Sequence, residues 1–306
     1  MKISFLVPAH NEEKIIGKTL SHLLELPYKD YEIIVGLDGC TDNTSDIVKN
    51  FSKKNKKIKY FSLDLRNGKP AVINYIIKKA KGDIIIINDA DWVFSVKDKK
   101  SFKKFIDLFN DKKVGGIAES FPVEWDKKTL SEGNLWFKMV AYSTYYWILF
   151  QKNNFTYVEK NKRYLKTHKM FLTNIFRKGL HKENKSLGDD FERTYEIMKM
   201  GHRIVIFNDE NIPRMKAIYN NINFKDLFKQ KIRTAVARGQ VKEIESTGLV
   251  NYYLPVVFFI IRESFKKNIA LGFLMIFWVF ITSLGQLLSK FSKYDTKSGW
   301  TLRAGR

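Results

Sequence analysis

An α/β fold around a parallel sheet is predicted by three observations. Short β-branched runs alternate with helical patterns from Ile3 to about Glu119. One of them, Asp83 to Asn88 with Ile84-Ile85-Ile86-Ile87 at its centre, is apolar without alternation, as a strand covered on both faces must be. That run ends in Asp89-Ala90-Asp91, and open α/β sheets bind ligands at the carboxyl ends of their strands. Two carboxylates one residue apart suit a hard divalent cation, which can in turn hold a pyrophosphate. An Asp-x-Asp alone also serves as a solvated turn, so the pattern needs company.

Residues 3–7 read as the first strand, and Asn11-Glu12-Glu13 opens a helix whose Ile15, Ile16, Leu20, Leu23 and Leu24 follow helical spacing. Glu32 to Leu37 is the second strand. Asp38-Gly39-Cys40-Thr41-Asp42-Asn43-Thr44 makes a turn into a helix over 45–51. Ile58 to Leu63 is a third strand, 70–81 a helix, 83–88 a fourth strand, 98–110 a helix and Val114 to Glu119 a strand.

The stretch 121–165 is aromatic-rich, with Trp125, Trp136, Tyr142, Tyr146 and Trp147. Two readings stand for its centre, Leu135 to Phe150: an amphipathic helix lying on a membrane, or a helix buried against the domain. Ile269 to Leu288 then runs 20 residues without a charge. At 1.5 Å per residue that is about 30 Å of helix, near the hydrocarbon thickness. Lys266 and Lys267 flank one end, Lys290 and Lys293 the other, so a transmembrane helix is expected over 269–288. Residues 252–261 are apolar but short for a crossing.

Of 306 residues, 44% are hydrophobic, ample for a core, and the formal net charge is +22. Such a balance favours anionic partners: nucleic acid, lipid headgroups or phosphorylated substrates. Charge alone does not choose among them. The single cysteine, Cys40, excludes an internal disulfide and suits a reducing compartment. Pro8-Ala9-His10-Asn11-Glu12-Glu13 cuts the first apolar run far short of a secretory h-region, so no signal peptide is expected.

The motifs gain meaning in order. Pro8-Ala9-His10-Asn11-Glu12 follows the first strand and Asp38 to Thr44 the second. Asn67-Gly68-Lys69-Pro70 with Asn74 precedes the Asp-Ala-Asp strand. Leu187-Gly188-Asp189-Asp190-Phe191-Glu192 comes about 100 residues later, followed by Gln230-Lys231-Ile232-Arg233. This succession resembles the family 2 glycosyltransferases, inverting enzymes of GT-A fold, over roughly residues 1–240. The Gly68-Lys69 spacing and the Gln-x-x-Arg element look most like the branch that includes polysaccharide synthases. The resemblance implies a Rossmann-like GT-A domain over 1–225 and a Gln-x-x-Arg amphipathic segment over 226–248, and the apolar runs that follow make 249–306 a membrane-associated region.

It also implies roles. Pro8, Ala9, Asn11, Glu12 and Asp38 would line the nucleoside pocket, with Asp38 accepting from the base; Asp42, by its own chemistry, suits a cap on the following helix or turn. Gly68 would let Lys69 reach the donor phosphates as a mobile point charge. Asp89 and Asp91 would face the ribose, a Mg2+ or Mn2+ ion and the pyrophosphate. Asp190 would be the general base. Asp189, in the place of the family's more usual Glu, would stand beside Gln230 and Arg233 on the acceptor and pyrophosphate side. Thr234 stands where the family's Gln-x-x-Arg-Trp element has Trp. Phe176-Arg177-Lys178 resembles the segment under the acceptor site, with Arg177 structural.

The expected function is transfer of a hexose or N-acetylhexosamine, with inversion, from a UDP- or GDP-sugar. The acceptor would be a polyprenyl-phosphate, a lipid-linked saccharide or a glycolipid, at a membrane, with the catalytic domain in the cytoplasm and no nucleic-acid partner. A sugar-phosphate nucleotidyltransferase would show a Gly-rich basic phosphate loop after strand one, which Pro8 to Glu13 is not. A non-enzymatic basic protein binding nucleic acid or lipid has no need of Asp38, Asp89, Asp91 and Asp190 at separate strand or helix ends.

Overall fold

The computed structural model describes residues 1–118, 127–168, 171–183, 185–206, 214–217, 221–241, 249–292, 295 and 297. Glu119, Trp125 and Lys293 lie outside them, as does 242–248 of the Gln-x-x-Arg segment.

Strands β1 (Ile3–Ala9), β2 (Tyr31–Asp38), β3 (Ile58–Leu63) and β4 (Ile84–Ile87) pair in parallel in the order β3-β2-β1-β4. Beyond β4 the sheet continues through Ile175–Arg177, Val114–Ala118, Arg203–Ile206, Lys162–Leu165 and Thr156–Glu159. These are β9, β6, β10, β8 and β7. β9 runs antiparallel to both β4 and β6, so the sheet is mixed rather than parallel throughout. Ile175 and Phe176 fill the slot, facing Ile86 and Ile85 on one side and Ile117 and Gly116 on the other. A short antiparallel ribbon joins β5 (Trp92–Ser95) to β11 (Arg214–Ala217).

Alternate strand residues feed opposite faces. Phe5, Val7, Ile33 and Val35 pack under α1 (Ile16–Leu24) and α4 (Lys99–Asp107). Leu6, Ile34, Ile85 and Ile87 pack under α3 (Lys69–Ile77). Gly36 sits beneath α3, where an added Cβ would lie 2.4 Å from Val72 Cγ1. That close approach seats Lys69, the first residue of α3. Gly36→Val is therefore expected to cost about 1–3 kcal/mol by overpacking. A lowered urea midpoint, with weaker nucleotide-sugar binding alongside, is the measurement.

Two boundaries differ from expectation. α1 opens at Ile16 rather than Asn11, because Asn11 has a left-handed φ of 53° and its side chain is bonded to Thr41. α3 ends at Ile77 rather than Lys81; Lys81 N–H instead donates to buried Glu32, leading the chain into β4.

A third core joins α6 (Leu135–Asn154), α8 (Phe224–Gln240), α9 (Leu254–Lys267) and α10 (Ile269–Ser289). α6 buries Phe137, Met139, Ala141, Tyr146, Ile148 and Phe150 on two of its sides, while Leu135 and Tyr145 on the side between them are exposed. Most of its apolar residues are taken up in this core, so of the two readings for 135–150 burial against the rest of the protein describes them. Its partners include the C-terminal helices: Trp147 Nε1 donates to Tyr252 Oη at 2.9 Å, and Phe150 meets Phe259 edge-on. α10 covers the expected apolar stretch, with mean hydropathy 2.0, yet only 28% of its most apolar window is buried.

Candidate active site

The loops after β1, β2 and β3 are bonded to one another. His10 Nδ1 lies 2.6 Å from the Asp38 carbonyl oxygen, and Thr41 N–H donates to Asn11 Oδ1 at 2.8 Å. Glu12 N–H donates to Thr44 Oγ1 at 2.6 Å. Asp42 accepts from Glu13 N–H at 3.1 Å and from Thr44 N–H at 3.0 Å, at the start of α2 (Thr44–Lys54). It thus braces the turn into that helix, whose N-cap residue is Asn43. Burial pushes the Asp42 carboxyl upward, but the hydrogen bonds it accepts, from Thr44 first and then Glu13, together hold the group below the usual carboxylate range.

Pro8 and Ala9 are the buried end of β1, in register with Gly36 and Leu37. Asp38 is fully buried. Its two oxygens accept from the backbone N–H groups of Asn67, at 2.7 Å, and Gly68, at 2.9 Å. Gly68 has φ 90°, a conformation favouring glycine, so the loop can turn into α3 and present Lys69. Each Asp38 oxygen keeps a second lone pair.

The Asp-Ala-Asp turn is fixed from below. Asn88, fully buried, donates through Nδ2 to the carbonyls of Asp89 and Trp92, both at 2.9 Å. Asp91 is buried and Asp89 half-buried. Lys69 Nζ lies 2.9 Å from Asp89 Oδ1 and 3.9 Å from Asp189 Oδ1. One ammonium group thus faces both the carboxylate pair after β4 and the carboxylate pair opening α7 (Asp189–Lys199).

Asp189 is buried and bonded at 2.7 Å to Arg193, one helical turn on. Arg193, also buried, donates to the Thr173 carbonyl at 2.9 Å and Asn174 Oδ1 at 3.1 Å, and covers the Phe176 ring. Asp190 is half-buried in the first turn of α7. Burial, and after it the charge of Asp189, push its carboxyl up to about 6, against the pull of Lys69 and Arg193. Such a group is poised to take a proton near neutrality. Arg177 is structural as expected: it donates to the carbonyls of Val114, at 2.8 Å, and Asp111, at 2.9 Å.

α8 reaches this region through its C-terminal end. Gln240 Oε1 accepts from Leu187 N–H at 3.0 Å, and Gly188 lies against Ala237 and Val241. Arg233 is about one turn, and Gln230 about two turns, before Ala237. Gln230 Oε1 is buried and accepts no hydrogen bond among the described residues. Thr234, in the expected place of Trp, turns its hydroxyl back to the Gln230 carbonyl at 2.8 Å.

Sequence reasoning missed Arg193, Asn88 and Thr44. The i,i+4 spacing of Asp189 and Arg193 was a usable signal. Asn88 and Thr44 gave none, since their partners are backbone groups set by the fold. Among the described residues no cluster of three or more His, Cys, Asp or Glu is present. Asp89 and Asp91 would therefore offer a cation at most two carboxylates, with its other positions left to diphosphate oxygens and water. That all-oxygen, partly open arrangement fits Mg2+ or Mn2+.

The profile of Glycosyl transferase family 2 matches residues 4–183. The chain belongs to glycosyl transferase family 2. Its GT-A fold is that of the mannosyltransferase PcManGT from Pyrobaculum calidifontis, solved with GDP-Man and Mn2+. The likeness has a TM-score of 0.55 at 17% identity and covers 98% of this chain and 84% of that one. In sequence it is 36% identical over 116 residues to the poly-β-1,6-N-acetyl-D-glucosamine synthase of Staphylococcus epidermidis, covering 38% of this chain and 27% of that protein. It is 38% identical over 135 residues to the probable glycosyltransferase YdaM of Bacillus subtilis, covering 42% and 31%. The chain thus matches less than a third of the length of these curated relatives. The expected family, its synthase-containing branch and the GT-A fold are borne out.

Proposed function

We propose that this family 2 protein transfers a hexose or N-acetylhexosamine, with inversion, from a UDP- or GDP-sugar to a membrane-associated acceptor: a polyprenyl-phosphate, a lipid-linked saccharide or a glycolipid. The observation that carries the reading is Lys69, whose single ammonium faces Asp89 on the donor side and Asp189 beside the base. The nucleoside lies along Pro8, Ala9, Asn11, Glu12 and Asp38, and Lys69 follows the glycine hinge to the diphosphate. Asp91, with Asp89, would hold Mg2+ or Mn2+, which would offset charge on the departing nucleoside diphosphate.

Asp190 takes the proton of the acceptor hydroxyl. The oxygen forms its bond to the anomeric carbon opposite the leaving group, and the carbon–oxygen bond to the diphosphate breaks with its electron pair on the phosphate oxygen. Asp189, held by Arg193, fixes the electrostatics around base and lysine. Gln230 and Arg233 hold the acceptor and the pyrophosphate. The basic surface and apolar α10 support a place at the cytoplasmic face of a membrane.

The test is metal-dependent hydrolysis and transfer by detergent-purified protein given a panel of UDP- and GDP-sugars. Failure of every donor with both Mn2+ and Mg2+ overturns the reading. The pH profile adds a second check. A base held up to about 6 is active only when ionised, so kcat/KM should fall as the medium is acidified through about pH 6. A flat profile from pH 7.5 down to about 5 would exclude Asp190 as the base.

A further inference from the structure

The outer side of α10 is an apolar stripe with no covering among the described residues. Ile269, Phe273, Ile276, Phe280, Leu284 and Leu287 are all exposed and recur every three or four residues, along one face for the full length of the helix. Phe258 and Phe265 of α9 extend exposed apolar surface beyond the corner at Asn268. The opposite side of α10, through Leu271, Met275, Ile281 and Gly285, is buried in the protein.

What that buried side touches decides how the helix can meet a membrane. A Cβ on Gly285 would lie 3.0 Å from Lys231 Cβ, and Lys231 Nζ sits 5.2 Å from the centre of the Trp278 ring. Trp278 is at the middle of α10. A helix crossing the bilayer with Trp278 at mid-depth would drag Lys231 and the neighbouring charges of α8 into hydrocarbon, where ionised groups are strongly disfavoured. Lying flat, it exposes only the stripe to acyl chains and keeps α8 on the aqueous side. Lys266, Lys267 and Lys290 at its ends then reach anionic headgroups, and the net charge of +22 favours the same surface.

We propose that α10 does not cross the membrane but lies in its plane, docking the catalytic domain on the anionic cytoplasmic leaflet through the Ile269–Leu287 stripe. This rests on the membrane-bound reading above and replaces the expected crossing over 269–288. It sets the Gln230–Arg233 helix directly behind the docked helix, so that a lipid-borne acceptor can be met at the bilayer surface.

The test uses full-length Lys267→Cys and Lys290→Cys chains in a Cys40→Ser background. Each is added from outside to preformed phosphatidylcholine–phosphatidylglycerol vesicles and treated with a membrane-impermeant maleimide. Both positions should label fully without opening the vesicles. Labelling of one position only after detergent means a crossing and overturns the proposal. A bimane probe on Phe280→Cys should lose fluorescence severalfold with brominated lipids. Absence of quenching, with Phe280→Cys crosslinking between copies, would assign the stripe to a dimer interface and also overturn it. Failure of metal-dependent donor hydrolysis on the same vesicles, with labelling and quenching as expected, would sink the glycosyltransfer reading and leave the docking intact.

Discussion

Asp190→Asn is expected to abolish transfer while leaving the protein folded, donor-competent and more stable. Loss of a general base lowers turnover by roughly a hundredfold to ten-thousandfold. Donor affinity should hardly move, because the base acts on the acceptor hydroxyl. The stability effect has its own sign. Asp190's folded pKa, about 6, is above the unfolded value, so the group's contribution is full below about pH 4 and lost as pH rises through about 6. At pH 7 the native state carries a disfavoured charge, and its removal should stabilise the fold by up to about 3 kcal/mol. A variant inactive at pH 7 but with a raised Tm and unchanged donor Kd would match. Parallel loss of donor binding and turnover would remove Asp190 from the acceptor side.

Asp91→Asn should act on the other half of the site. It removes an anionic ligand from a hard cation while keeping the shape of a buried side chain. Loss of metal assistance worth several kcal/mol corresponds to roughly a thousandfold or more in turnover. Nucleotide-sugar affinity measured with Mn2+ should fall as well, whereas affinity in EDTA should match that of the parent chain. Near-normal metal-dependent activity would refute the assignment. The two variants together separate donor from acceptor chemistry, because only the second should change the metal dependence of binding.

Much of the fold could be read because its strands are strong local signals. Ile84 to Ile87 can hardly be anything but a buried strand, and β1 and β2 announce themselves in the same way. β9 could not, since three residues are too few to show a period. α6 is a harder case. Its aromatic residues favour burial and lipid equally, and only the presence of α9 and α10 decides between them. The candidate site divides along the same line. Carboxylates at strand and helix ends are visible as motifs, and so is Lys69 after its glycine. That Lys69 stands between Asp89 and Asp189 depends on contacts between segments about a hundred residues apart. Asp38 stands out in the sequence as a carboxylate at a strand end, but not its bonds to Asn67 and Gly68, because loop pairing leaves no periodicity behind.

The bonds that tie the first three strand-end loops to one another have a thermodynamic consequence. His10 to Asp38, Asn11 to Thr41, Glu13 to Asp42 and Asp38 to Asn67 and Gly68 make the proposed nucleoside floor a single braced unit. Its conformational entropy is surrendered when the chain folds rather than when a donor arrives. Nucleoside binding should therefore be tight for its contact area, with little added hydrogen-exchange protection in these loops. Exchanging one base for another would then require several of the braces to change together, so a single substitution in this floor is more apt to loosen the pocket than to retune it.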